Sequence, residues 1–128
     1  MRDTIDINSN DNALFITSQC NNRCVMCCQP PLLRNDLDGY FQKNMALIDS
    51  APRELRSLGI TGGEPTLLGD RLFELLRHVR TKLPETEIHL LTNGRAFADK
   101  EPNAVRKRYF SAFHFMPILR ATTILSRR

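Results

Sequence analysis

Leu72, Leu75, Leu76, Val79 and Leu83 recur at i, i+3, i+4, i+7 and i+11, with a short apolar run on either side. A helix with such a stripe has to bury it against another element. A strand, a helix of this length and a second strand make a βαβ unit. Units of this kind build a parallel sheet with right-handed crossovers. Asp70 is read as the N-cap of the helix and Pro84 as its stop.

The same rhythm extends towards the N-terminus. A first strand is predicted over Ala13 to Ser18 and a first helix over Asp38 to Asp49, with Phe41, Met45 and Ile48 on one face. Gln29-Pro30-Pro31 prevents a helix in the loop between them. The second strand is Ser57 to Thr61 and the third is Ile88 to Thr92, with Glu87 in the preceding turn. The fold class is therefore α/β.

Loops that leave the carboxyl ends of parallel strands gather on one side of the sheet, where such folds place their ligands. Three segments share that side: the loop holding Cys20, Cys24, Cys27 and Cys28, the turn Gly62-Gly63-Glu64-Pro65, and the turn Thr92-Asn93-Gly94. After Gly94 the pattern stops. Tyr109, Phe110, Phe113, Phe115, Met116, Ile118 and Leu119 form an apolar patch broken by His114, Pro117 and Arg120. The chain divides into a leader at 1–12, a core at 13–95 and a basic tail at 96–128.

At 128 residues the chain suffices for one small domain. No apolar run approaches the roughly 20 residues a membrane-spanning helix needs. The start, Met1-Arg2-Asp3-Thr4-Ile5-Asp6, lacks the basic and apolar regions of a signal peptide, so the expected location is the cytoplasm, with no membrane partner. The net charge of +4 comes from the tail. Residues 1–94 hold ten Lys/Arg against twelve Asp/Glu, and residues 95–128 hold eight against two. The tail carries no nucleic-acid-binding motif, and Arg106-Lys107-Arg108 reads as a solvated face, so a nucleic-acid partner is not expected.

All four cysteines lie between positions 20 and 28. A disulfide framework spreads its cysteines to staple distant segments, so this clustering points to metal in a reducing compartment. Structural zinc commonly takes four ligands from paired knuckles. Cys27 and Cys28 are adjacent and their side chains diverge, and no second knuckle exists. The C-x3-C-x2-C spacing of Cys20, Cys24 and Cys27 therefore favours an iron–sulfur cluster over zinc. Three thiolates would leave one iron of a cubane cluster open, and Cys28 reads as a spare thiol, because a fourth sulfur would block that iron.

Taken singly, the other residues have ordinary readings. Gly62-Gly63 suits a plain strand-to-helix turn, Glu64 a surface carboxylate, and Asn93-Gly94 a common turn pair. His78, His89 and His114 show no pairing with an acid or nucleophile, so hydrolase chemistry is not expected. There is no phosphate loop or dinucleotide fingerprint.

Together, Thr17-Ser18-Gln19-Cys20-Asn21-Asn22-Arg23-Cys24 with Cys27, Gly62-Gly63-Glu64-Pro65 and Thr92-Asn93-Gly94 resemble the radical S-adenosylmethionine enzymes over roughly residues 13–95. The stretch Cys24-Val25-Met26-Cys27-Cys28-Gln29-Pro30-Pro31 is similar to the branch that matures peptides of the His-Xaa-Ser system. The resemblance implies the N-terminal half of a partial (β/α)6 TIM-like barrel, about three βα units, followed by an irregular tail. It implies a 4Fe-4S cluster on Cys20, Cys24 and Cys27, with S-adenosylmethionine chelating the open iron and cleaved by one electron to a 5'-deoxyadenosyl radical. A peptide or protein would be the substrate, and a flavodoxin or ferredoxin the reductant.

Gly62 and Gly63 would let the cosubstrate approach the backbone, since no Cβ intervenes. Their carbonyls and Glu64 would accept from its ammonium, beside Pro65. Asn93 would contact its methionine or ribose part. Met26 stands where the family usually has an aromatic residue, and it can still pack against adenine.

Family members usually carry six βα units, and only three are legible here. The change of charge and pattern after residue 95 leads to the expectation of a truncated or frameshifted product with a foreign tail. A non-catalytic fragment that binds iron–sulfur or zinc is the alternative to an active enzyme.

Overall fold

The computed structural model describes residues 5–9, 11–25, 27, 31–97 and 119–123. Four strands form one sheet in the order β1-β2-β3-β4: β1 Ala13–Phe15, β2 Ser57–Thr61, β3 Glu87–Thr92 and β4 Leu119–Thr123. Every neighbouring pair is parallel. The sequential order means that each strand is laid beside its predecessor, as in a barrel wall. Helix α1 spans Leu37–Asp49 and helix α2 spans Asp70–Lys82.

The core lies between the helices and one face of the sheet. Leu14, Ile16, Leu58, Ile60, Ile88 and Leu90 come from the strand segments, and Phe41, Ile48, Leu72, Leu75, Leu76 and Val79 from the helices. Alternation along β2 and β3 sends these residues inward and leaves Gly59, Thr61, His89 and Leu91 half-buried on the other face. The stripe of α2 is buried in full, Leu83 beyond its end included. At about 1.5–3 kcal/mol per fully buried aliphatic side chain, it is a principal anchor of the domain.

Several boundaries differ from expectation. Strand β1 ends at Phe15 rather than Ser18, because its partner β2 ends at Thr61, opposite Phe15. Beyond it the chains stay in contact through single bonds: the Ile16 N–H donates to the Thr61 carbonyl and the Gly63 N–H to the Thr17 carbonyl. Asp70 is the first residue of α2; the cap position belongs to Gly69, whose φ of 62° suits glycine. Glu87 pairs with Ser57 and lies in β3, not in the turn.

On α1 the buried face is Phe41, Asn44 and Ile48, with Met45 half-buried. Asn44 is kept inside by donating to the Phe15 carbonyl at 2.8 Å, which ties the helix to the end of β1.

The tail is not wholly irregular. Leu119–Thr123 pairs in register with Ile88–Thr92 as the fourth strand of the sheet. The patch from Tyr109 to Ile118 lies outside the described residues. Among the described residues no helix is long and apolar enough to cross a membrane.

Candidate functional site

The cysteine loop is closed at its neck. The Leu32 N–H donates to the Ser18 carbonyl at 3.0 Å, and the Gln19 side-chain amide donates to the Arg34 carbonyl. Asp36, just before α1, accepts the Thr17 hydroxyl at 2.6 Å, the Ser18 N–H at 3.1 Å and the Ser18 hydroxyl. Burial alone would raise the Asp36 pKa. Hydrogen bonds from Ser18 and Thr17 outweigh that effect and hold the carboxyl below its ordinary value. The chain thus leaves the domain after Gln19 and rejoins it at Leu32, with Cys20, Cys24 and Cys27 between these two fixed points.

Gly62 and Gly63 press against that neck. The Gly63 N–H donates to the Thr17 carbonyl at 2.6 Å and the Glu64 N–H to the Gln19 carbonyl at 2.9 Å. A Cβ on Gly62, where φ is +137°, would stand 2.7 Å from the Thr17 carbonyl oxygen; one on Gly63 would overlap the Gln19 carbonyl. The room left by the missing Cβ atoms is therefore taken by the chain itself. These glycines seat the cysteine loop on the turn after β2.

Glu64 is fully buried. Its Oε1 accepts the Thr66 N–H at 3.0 Å, the Thr66 hydroxyl at 2.6 Å and the Thr92 hydroxyl at 2.7 Å. Its Oε2 accepts the Asn93 N–H at 2.7 Å. These protein donors hold the carboxylate in place, and through it the two strand-end turns are locked together. Pro65 is also buried and opens the 3-10 turn Pro65–Leu68, where its missing N–H costs nothing.

Asn93 reaches across to the cysteines. Its side-chain amide donates to the Asn21 Oδ1 at 2.8 Å and approaches the Cys20 Sγ at 3.7 Å. Its own Oδ1 accepts the Arg95 N–H at 3.0 Å, and the Arg95 guanidinium donates to the Asn21 carbonyl at 3.1 Å. A second amide, Asn22 Nδ2, lies 3.4 Å from the Cys24 Sγ. Cys20 and Cys24 are half-buried and Cys27 is exposed, with all three thiols free of disulfides. Met26 and Cys28 lie outside the described residues.

The structure thus brings the cysteine loop, the Gly62–Pro65 turn and the Thr92–Gly94 turn onto one edge. Sequence reasoning missed Asp36 and Thr66 and had Asn21 and Thr92 only as members of longer motifs, without the contacts that hold this edge together; a capping-type Asp before α1 was the one local signal. His78, expected to be unpaired, lies 3.0 Å from the Asp49 carboxylate, which Lys82 also contacts. His89 lies 3.8 Å from Glu87 in β3. Asp49 is exposed on α1, where the Lys82 hydrogen bond lowers its pKa; the pair belongs to the helix surface, away from the cysteines.

Three thiols on one necked loop, with amide N–H groups directed at two of the sulfurs, are a donor set suited to an iron–sulfur cluster. Among the described residues no three His, Cys, Asp or Glu side chains are grouped to hold a single metal ion. A cluster asks less of the chain, because each thiolate takes its own iron.

The sequence pattern of the Radical SAM superfamily matches residues 14–116. The GTP 3',8-cyclase of Desulforamulus reducens is 30% identical over 103 residues, covering 77% of this chain and 31% of that protein. A protein of Methanocaldococcus jannaschii named as a glycyl-radical enzyme activating enzyme is 31% identical over 85 residues, covering 62% of this chain and 23% of that protein. The chain therefore spans less than a third of the length of either relative. No solved structure matches it. The match runs past the third strand and takes in most of the described sheet: the chain belongs to the radical SAM superfamily.

Proposed function

We propose that Cys20, Cys24 and Cys27 bind three irons of a 4Fe-4S cluster, and that the chain serves as the core of an enzyme that cleaves S-adenosylmethionine. When bound, the cluster and cosubstrate supply an electron transfer that breaks the sulfonium and delivers a 5'-deoxyadenosyl radical. The observation that carries this reading is the necked three-thiol loop seated on the Gly62-Gly63 turn.

In this reading the chain's own residues do four things. Asp36 and Leu32 hold the loop neck closed, so the thiolates are presented from a fixed base. Gly62 and Gly63 bring the turn after β2 against that base, and their carbonyls would accept from the cosubstrate's ammonium. Glu64 and Pro65 keep that turn in shape from beneath. Met26 would supply the apolar contact to the adenine.

The substrate is a peptide or protein in this proposal, as for the His-Xaa-Ser maturases. The relative named for activating another enzyme supports that class, while the name of the other relative points to GTP. The reductant is a flavodoxin or ferredoxin, and the setting is the cytoplasm.

The test is anaerobic reconstitution with iron and sulfide, then dithionite and S-adenosylmethionine, with 5'-deoxyadenosine measured. Release of 5'-deoxyadenosine supports the enzyme reading. A cluster without cleavage supports the non-catalytic reading, and stoichiometric zinc without a cluster sinks both. A deuterated peptide or deuterated GTP that passes label into 5'-deoxyadenosine then decides the substrate class.

A further inference from the structure

We propose that Asn93 is a positioning residue for the cluster, and that its side-chain amide holds the Cys20 sulfur and sets the reduction potential of the cluster. The proposal rests on the reading of Cys20 as an iron ligand. It replaces the expectation that Asn93 meets the cosubstrate.

The geometry carries the assignment. The amide that approaches Cys20 Sγ at 3.7 Å comes from a turn 73 residues further along the chain. The Asn22 contact to Cys24 is made within the loop itself, two residues away, and moves with it. Asn93 is different because it belongs to the sheet. Its N–H is fixed by Glu64, its Oδ1 is occupied by the Arg95 N–H, and the same Nδ2 binds Asn21 next to Cys20. Four contacts therefore leave the amide little freedom, with one N–H directed at the sulfur side of the loop.

An N–H directed at a cluster thiolate stabilises the more negative, reduced state, so it raises the potential. Asn93 would thereby ease the electron's entry into the cluster. It would also hold Cys20 at the distance the sheet dictates.

The test uses the full chain reconstituted anaerobically, with the cluster potential read from the EPR signal during a redox titration. Asn93→Ala removes the donor. Asn93→Asp keeps the acceptor for Arg95 and removes the donor, while adding charge. Asn44→Ala weakens the fold without touching a sulfur and serves as the control. The expected result is a lower potential in both Asn93 variants and an unchanged one in Asn44→Ala. Where Asn93→Ala retains too little iron to titrate, the uncharged Asn93→Leu, which removes the donor without adding charge, gives the comparison. A wild-type cluster with the same potential in the Asn93 variants overturns the role of Asn93 and leaves the cluster reading intact. A wild-type chain that assembles no 4Fe-4S cluster overturns both.

Discussion

The Glu64 carboxylate accepts the Asn93 N–H at 2.7 Å across 29 positions of sequence, so the turn after β2 and the turn after β3 move as one piece. The same carboxylate also takes both donors of Thr66 and the hydroxyl of Thr92. The loop with the cysteines rests on this piece through Gly63, Glu64 and Asn93.

Removing that carboxylate should be costly. Glu64→Ala orphans the buried Thr92 hydroxyl and three partly buried donors; at about 1–3 kcal/mol for a donor left buried without a partner, and less for the others, a loss of about 3 kcal/mol is expected. Urea unfolding of the apo chain measures it. Glu64→Gln keeps one oxygen but turns an amide donor towards another N–H, and should lose less. Equal stability of all three chains would show that the hydrogen bonds carry no net weight.

Two glycines give opposite expectations. Gly63→Ala places a methyl group on the Gln19 carbonyl, which is backbone and cannot swing aside. A loss of about 2–4 kcal/mol is expected, comparable to overpacking at its severe end. Gly39→Ala, in α1 with nothing within 4 Å of the new methyl, should be neutral or up to about 1 kcal/mol more stable. Thermal melts of the two variants decide it, and a mild Gly63→Ala would mean that the loop is not seated as described.

These contacts show what the sequence could and could not convey. The stripe from Leu72 to Leu83 was legible because helical period is local, and β2 because its apolar residues alternate within five positions. Glu64 was legible as a turn residue but not as a buried one, since its acceptors' partners lie at Thr92 and Asn93, a full βα unit away. Asn44 looks like a solvent residue until the Phe15 carbonyl is placed above it. Asp70 has the residue type of a cap, yet the positive φ of Gly69 takes that position. Strand β4 escaped notice because Arg120 interrupts a run whose Thr122 and Thr123 favour a strand, and only pairing with β3 decides it.

Asp36 makes the loop neck sensitive to acid. Its pKa in the folded chain lies below the ordinary value of 3.8, so it stabilises the fold above that pH. That contribution shrinks as pH falls below 3.8 and is lost once pH drops through the folded pKa. Melting of apo wild type and Asp36→Asn from pH 7 to pH 3 should show a stability gap that is constant near neutrality and narrows at the acid end. A gap independent of pH would contradict the assigned shift.

Asn44→Leu should cost about 1–3 kcal/mol, because the buried Phe15 carbonyl loses its side-chain donor without gaining water. Equilibrium unfolding compares it with wild type. A stability equal to or above wild type would show that apolar packing at this position outweighs the hydrogen bond.

The most direct measurement is the EPR spectrum of the anaerobically reconstituted, reduced chain with and without S-adenosylmethionine, together with iron and sulfide analysis. The account predicts about four irons and four sulfides per chain, a 4Fe-4S signal that changes when S-adenosylmethionine is added, and loss of both in Cys20→Ala, Cys24→Ala and Cys27→Ala. A cluster that survives these substitutions, or a signal indifferent to S-adenosylmethionine, would contradict it.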